Sequence, residues 1–136
     1  MRINDKELYK IAKDALKNAY APYSKFKVGA ALLASDGTIV TGVNVENSSY
    51  GAAICAERTA FVKAISEGNL EFVKMAVASS SGSAWPCGIC RQFMYEFNPE
   101  LIVITGDDAD NLESFALNEL LINGFRLEHE QEAETN

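Results

Sequence analysis

Residues 27–43 read KVGAALLASDGTIVTGV. Lys27 to Ala34 is a largely apolar run with the character of a buried strand. Ser35-Asp36-Gly37-Thr38 carries the Asp-Gly pair that suits a tight hairpin. Ile39, Val40 and Val43 then resume the apolar pattern, so two antiparallel strands are expected, and the elements on either side decide what covers them.

Upstream, Asn4 followed by Glu7 resembles a capping box, and Leu8, Ile11, Ala12, Ala15, Leu16 and Ala19 recur at helical spacing, which predicts a helix over 5–19. Ala21-Pro22-Tyr23-Ser24 breaks it. Downstream, Asn44 to Gly51 is a polar loop without periodicity. Cys55 to about Ser66 carries a helical stripe (Ala56, Ala60, Phe61, Ala64, Ile65), with Gly68 just past its end.

Val73 to Ala78 reads as a third strand. Pro86 suits the first turn of a helix that Cys90, Phe93, Met94 and Phe97 continue until Asn98-Pro99 ends it, and Leu101 to Thr105 is a fourth strand. Leu112 to Ile122 is expected as a last helix, Phe125 to Leu127 as a short fifth strand, and the acidic end after about residue 128 as a frayed tail. Strands alternating with helices after an initial hairpin give an α/β fold: a three-layer α/β/α sandwich with a mixed sheet of about five strands, formed by residues 1–136 as a single domain.

The 136 residues are 48% hydrophobic and 23% charged, the profile of a chain with a real core. The net charge of −7, without a lysine or arginine cluster, would repel a phosphate backbone, so nucleic acid is not an expected partner. No apolar run is long enough to span a bilayer. The expected location is the cytoplasm, where three cysteines stay reduced and serve as ligands or nucleophiles rather than as a disulfide framework.

Those cysteines fall in two short boxes, Cys55-Ala56-Glu57-Arg58 and Pro86-Cys87-Gly88-Ile89-Cys90-Arg91-Gln92. Cys87-x-x-Cys90 alone is equally the spacing of zinc knuckles, iron-sulfur sites and redox dithiols, with Cys55 then a small core residue. A catalytic zinc site has three protein ligands and leaves a fourth position for water, whereas a structural one is closed by four. Cys55 and Cys87 each lie near an expected helix start, where free N–H groups and the helix dipole favour a thiolate.

Glu57, two residues after Cys55, can face the same metal only if Cys55 sits at the very start of its helix. From there it could act as general acid/base; otherwise it is an ordinary first-turn glutamate. Three thiolates and Zn²⁺ sum to a charge of −1, which asks for a compensating neighbour. Arg58, three residues after Cys55, is the choice, with Arg91 the rival or a solvated surface charge.

Taken with Ala21-Pro22-Tyr23-Ser24-Lys25-Phe26, Val28-Gly29-Ala30-Ala31-Leu32 and Gly42-Val43-Asn44-Val45-Glu46-Asn47, the two boxes resemble, in order, the motifs of the small homotetrameric cytidine deaminases, up to Phe125. In that superfamily zinc is held by a histidine and two cysteines or by three cysteines, and a glutamate that is not a ligand acts as general acid/base.

The resemblance implies hydrolytic deamination of cytidine and deoxycytidine to uridine, deoxyuridine and ammonia, a step of pyrimidine salvage. One Zn²⁺ per chain would be held by Cys55, Cys87 and Cys90, with zinc-bound hydroxide attacking C4 and Glu57 shuttling protons. It further implies that Asn44 and Glu46 bind the sugar, that Ala56 and Glu57 contact the base edge, and that Phe26 lines the pocket. Tyr50 and Phe125 would reach a neighbouring subunit's site, and four subunits would assemble. Blasticidin-type deaminases share the zinc boxes but not usually Asn44-Val45-Glu46-Asn47. Polynucleotide deaminases usually have histidine where Cys55 stands and need a basic surface. A zinc-stabilised interaction module without catalysis is the alternative of a different class, and it would close its metal with a fourth protein ligand.

Overall fold

Asn4 caps the first helix as a reciprocal box: its side chain accepts from the Glu7 N–H at 2.8 Å, and its own N–H donates to the Glu7 carboxylate at 3.1 Å. The computed structural model describes residues 3–127; the acidic tail and His129 lie outside the described residues. Helix α1 (Asp5–Ala15) tightens into a 3₁₀ turn over Leu16–Asn18, matching the helix expected over 5–19. Then follow β1 (Val28–Ala34), β2 (Ile39–Val43), α2 (Ala56–Ser66), β3 (Phe72–Ser79) and α3 (Gly88–Tyr95). The described chain continues with β4 (Ile102–Gly106), β5 (Leu112–Ala116) and the single turn α4 (Leu117–Leu120). Among the described residues, no helix is long and apolar enough to cross a membrane.

The hairpin closes with a three-residue loop. Gly37 N–H bonds the Ala34 carbonyl at 3.0 Å, Ala34 N–H bonds Thr38 at 2.9 Å, and Gly37 sits at φ 94°. A type I turn followed by a left-handed glycine is the usual three-residue solution.

The sheet order is β2-β1-β3-β4-β5, antiparallel except for the parallel pair β3 and β4. Helix α1 covers one face: Leu8, Tyr9 and Ala12 pack on Ala31, Leu33, Ala76, Ala78 and Ile104. Helices α2, α3 and α4 cover the other, where Phe61, Met94 and Leu117 pack on Leu32, Met75 and Val103. The mixed sheet between helical layers is the α/β arrangement expected.

Three expectations are corrected. Residues 112–116 form strand β5 rather than helix, and the fifth strand is therefore not Phe125–Leu127, which carry no strand. Leu, Glu and Ala favour helix intrinsically, but pairing with the open edge of β4, Ile102 opposite Ala116 through Gly106 opposite Leu112, overrides that preference. Leu112 then packs with the α1 face, while the Phe115 ring meets Trp85 at a tilt of 58° with centroids 5.4 Å apart. Pro86 is likewise not in the first helical turn: Cys87 is the N-cap and Gly88 the first residue of α3. Pro86 is fully buried ahead of the cap.

Glycines set how closely two helices approach the sheet. A Cβ at Gly29 would lie 2.1 Å from the Ala12 carbonyl oxygen of α1; one at Gly42 would lie 2.4 Å from the Ala60 nitrogen and 2.5 Å from the Ala56 oxygen of α2. Helix α2 is thereby pressed onto β2 at the turn that follows Cys55.

Candidate metal centre and substrate site

Cys55 is the N-cap of α2, with extended backbone at φ −77° and ψ 157°, and Cys87 is the N-cap of α3, at φ −71° and ψ 172°. Cys90 stands three residues into α3 and is fully buried. Side chains at N-cap and N3 face one another at a helix start, the relation that capping boxes exploit. Cys87 and Cys90 use it here, and so do Cys55 and Arg58. An aromatic group joins the two helices: Phe61 of α2 lies 6.2 Å from Phe93 and 5.8 Å from Phe97, with Phe72 of β3 at 4.8 Å.

The three sulfurs lie within 4.8 Å of one another, and the Cys55 and Cys87 Sγ atoms are 3.8 Å apart. Tetrahedral zinc with Zn–S bonds of about 2.3 Å requires sulfurs about 3.8 Å apart, so the donor set fits that ion in chemistry and in spacing. Among the described residues the cluster holds these three groups only, which leaves one tetrahedral position that they do not fill.

Arg58 reaches back so that Nη2 lies 3.8 Å from Cys55 Sγ, while its Nε is buried without a partner among the described residues. A hydrogen bond from Cys90, reinforced by Arg58 and Cys87 against the opposing effect of burial, draws the Cys55 thiol from 9.0 down to about 5. The same hydrogen bond, with burial and the Glu57 charge, pushes Cys90 up. Arg91 does not touch the sulfurs. Its Nε donates to the Pro86 carbonyl at 2.7 Å and its Nη1 to the Leu120 carbonyl at 2.7 Å, so it is a tether between the Cys87 loop and α4 rather than a solvated charge.

Glu57 occupies the second position of α2, 4% exposed. Because Cys55 is extended rather than helical, the two side chains escape the opposed directions they would have inside a helix. Burial pushes the Glu57 carboxyl up to about 7, and the charge on Cys55 adds to the shift. Ala56, fully buried, is the first residue of the same helix.

Asn44 to Glu46 is not an irregular loop. Val45 bridges Tyr20 on one side and Ile54 on the other, with N–H to carbonyl bonds of 3.0 Å in both directions between Val45 and Ile54. This extended segment puts Asn44 and Glu46 on one face and brings them beside the residue that precedes Cys55. The alternation Asn-Val-Glu was the available sequence signal for it.

The Asn44 side chain accepts from Val28 N–H at 2.9 Å and donates to the Phe26 carbonyl at 2.8 Å. Glu46 accepts from the Tyr23 and Ser24 amides at 2.9 and 3.2 Å and from the Ser24 hydroxyl. These bonds, with Ser24 foremost, hold the Glu46 carboxyl below the ordinary carboxylate range. Phe26, Asn44 and Glu46 are therefore one connected unit.

Tyr50 meets Tyr23 edge to face at 6.5 Å and with it lines an open cavity of about 210 Å³ that Glu46 also borders. Its side chain is 81% exposed. Phe125, 63% exposed, is tied to α3 through its carbonyl, which accepts from Gln92 Nε2 at 2.8 Å. Sequence reasoning missed Ser24 as the partner of Glu46 and Arg91 as a tether, since neither carries a spacing signal.

Residues 2–105 match the family model described as the cytidine and deoxycytidylate deaminase zinc-binding region. The chain is 49% identical over 117 residues to a probable cytidine deaminase of Dictyostelium discoideum, covering 82% of this chain and 80% of that protein. It is 46% identical over 123 residues to a cytidine deaminase of Halalkalibacterium halodurans, covering 89% and 93%. The crystal structure of cytidine deaminase from Burkholderia pseudomallei superposes with a TM-score of 0.86 at 42% identity, over 90% of this chain and all of that one. The corresponding enzyme from Mycobacterium tuberculosis gives 0.79 at 36% identity, over 93% and 100%. With three cysteine sulfurs gathered at two helix starts beside a buried glutamate, the chain belongs to the zinc-binding cytidine and deoxycytidylate deaminase family.

Proposed function

We propose that the protein hydrolytically deaminates cytidine and deoxycytidine, giving uridine or deoxyuridine and ammonia. The observation that carries this reading is the three-sulfur cluster with one coordination position left over and the buried Glu57 carboxyl beside it on the same helix end. Cys55, Cys87 and Cys90 would hold zinc there, and the ion would supply the Lewis acidity that activates a water molecule.

Glu57 takes the proton from the attacking water as the new bond forms at C4 of the ring, and returns it to the departing amino nitrogen, which leaves as ammonia. Its burial suits that exchange, because a carboxyl raised towards 7 accepts and releases a proton with little bias at neutral pH. Arg58 draws negative charge from the Cys55 sulfur, offsetting the net −1 of three thiolates and Zn²⁺. The base edge is met by Ala56 and Glu57 at the start of α2, and Phe26 lines the pocket. Asn44 and Glu46, on one face of the extended segment, receive the sugar hydroxyls.

The exposed rings of Tyr50 and Phe125 support a homotetramer in which these side chains complete a neighbouring subunit's site. Three free thiols fit a reducing, cytoplasmic setting. Ammonia release measured on a panel of cytidine, deoxycytidine, blasticidin and a single-stranded cytosine oligonucleotide tests the assignment. Turnover of the two nucleosides is expected; turnover of blasticidin or the oligonucleotide without the nucleosides contradicts it.

A further inference from the structure

Ser24 stands at the junction of the groups assigned above to the sugar and to the base. Its hydroxyl donates to one oxygen of Glu46 and accepts from the Phe26 N–H at 3.0 Å, while its own N–H and that of Tyr23 donate to the other Glu46 oxygen. Lys25 between them is held at φ 64°, a left-handed conformation that a lysine rarely adopts, and its N–H bonds the Ala21 carbonyl at 3.0 Å. Such a turn persists only where its surroundings over-determine it. Here the carboxylate and the serine hydroxyl do so, and the Asn44 amide on the Phe26 carbonyl fixes the far side.

A carboxylate offers about four lone-pair positions. Three on Glu46 are filled by Tyr23 and Ser24, which leaves one among the described residues. The serine hydroxyl thus fixes the rotation of the carboxylate and decides which lone pair faces outward. From this arrangement we infer that Ser24 is a positioning residue for sugar recognition: it aims the remaining Glu46 acceptor at a single nucleoside hydroxyl and, through the same oxygen, locks the backbone of Phe26. The inference rests on Glu46 being a sugar contact.

Steady-state kinetics of the zinc-loaded wild type, Ser24→Ala and Ser24→Thr on cytidine and on 2′,3′-dideoxycytidine, with zinc content and thermal midpoint recorded for each, separate this role from simple support of the fold. Ser24→Ala is expected to lower kcat/KM on cytidine by about tenfold more than on the dideoxy nucleoside, the loss residing in KM. Ser24→Thr, which keeps the hydroxyl, restores most of it. Any loss through Phe26 falls on both substrates alike. If Ser24→Ala does not retain zinc, Ser24→Cys, whose thiol is a weak donor, is read in the same way. Equal losses on the two nucleosides overturn the role of Ser24 while leaving Glu46 in place. A wild type that does not distinguish the two nucleosides overturns the Glu46 contact and the inference with it.

Discussion

Arg58 owes its place to a spacing of three. Cys55 is the N-cap, so the third helical residue returns to the same side, and the guanidinium meets a sulfur rather than solvent. The same arithmetic pairs Cys87 with Cys90. The placement of the cysteines, Glu57 and Arg58 was legible at this scale, because a glutamate two residues from a cysteine can share its side only at a helix start. That of Arg91 was not, since its partners are the carbonyls of Pro86 and Leu120, 5 and 29 residues away in sequence. Arg58→Gln, which removes the charge next to Cys55, is expected to cost about 10–100-fold in zinc affinity or in turnover. Chelator competition and kinetics on one preparation measure both, and unchanged values would remove Arg58 from the account.

At the level of elements, the hairpin and the two cysteine-bearing helices were readable from local pattern, whereas the C-terminal segment was not. Residues 112–116 have helical preferences, and their strand exists because β4 offers an unpaired edge, information that no local window contains. The extended segment from Asn44 to Glu46 carries only the three-residue alternation Asn-Val-Glu as a local signal, too short to define a strand, and its bridges run to Tyr20 and Ile54.

The seating of α2 is also an element-scale property, set by the absence of a side chain at Gly42, where a Cβ would sit 2.4 Å from backbone. Gly42→Ala should therefore destabilise the zinc-loaded protein by about 1–3 kcal/mol, because the helix must move off the sheet. Gly51→Ala, with nothing within 4 Å of the added carbon, serves as control and should stay within about 0.5 kcal/mol. Denaturant midpoints compare the two, and equal effects would contradict the close approach.

For the whole molecule, the sheet is a platform that presents two helix starts to one metal, with the aromatic contacts of Phe61, Phe72, Phe93 and Phe97 fixing their separation. The segment around Tyr23 to Val28 is hung on the same platform by Asn44 and Glu46, and α4 by Arg91. Cys55 and Cys87 serve both the helix starts and the sulfur cluster, whereas Glu57 is buried beside the cluster without belonging to it. Glu57→Gln keeps the shape of the side chain and removes its capacity to exchange a proton.

Zinc content, thermal midpoint and cytidine turnover of that variant, measured on one sample against the wild type, therefore separate a deaminase from a zinc-stabilised interaction module. The expected result is about one zinc per chain and a retained midpoint, with turnover lower by at least ~10²–10⁴-fold. Turnover close to the wild-type rate in a zinc-loaded Glu57→Gln protein would contradict the account.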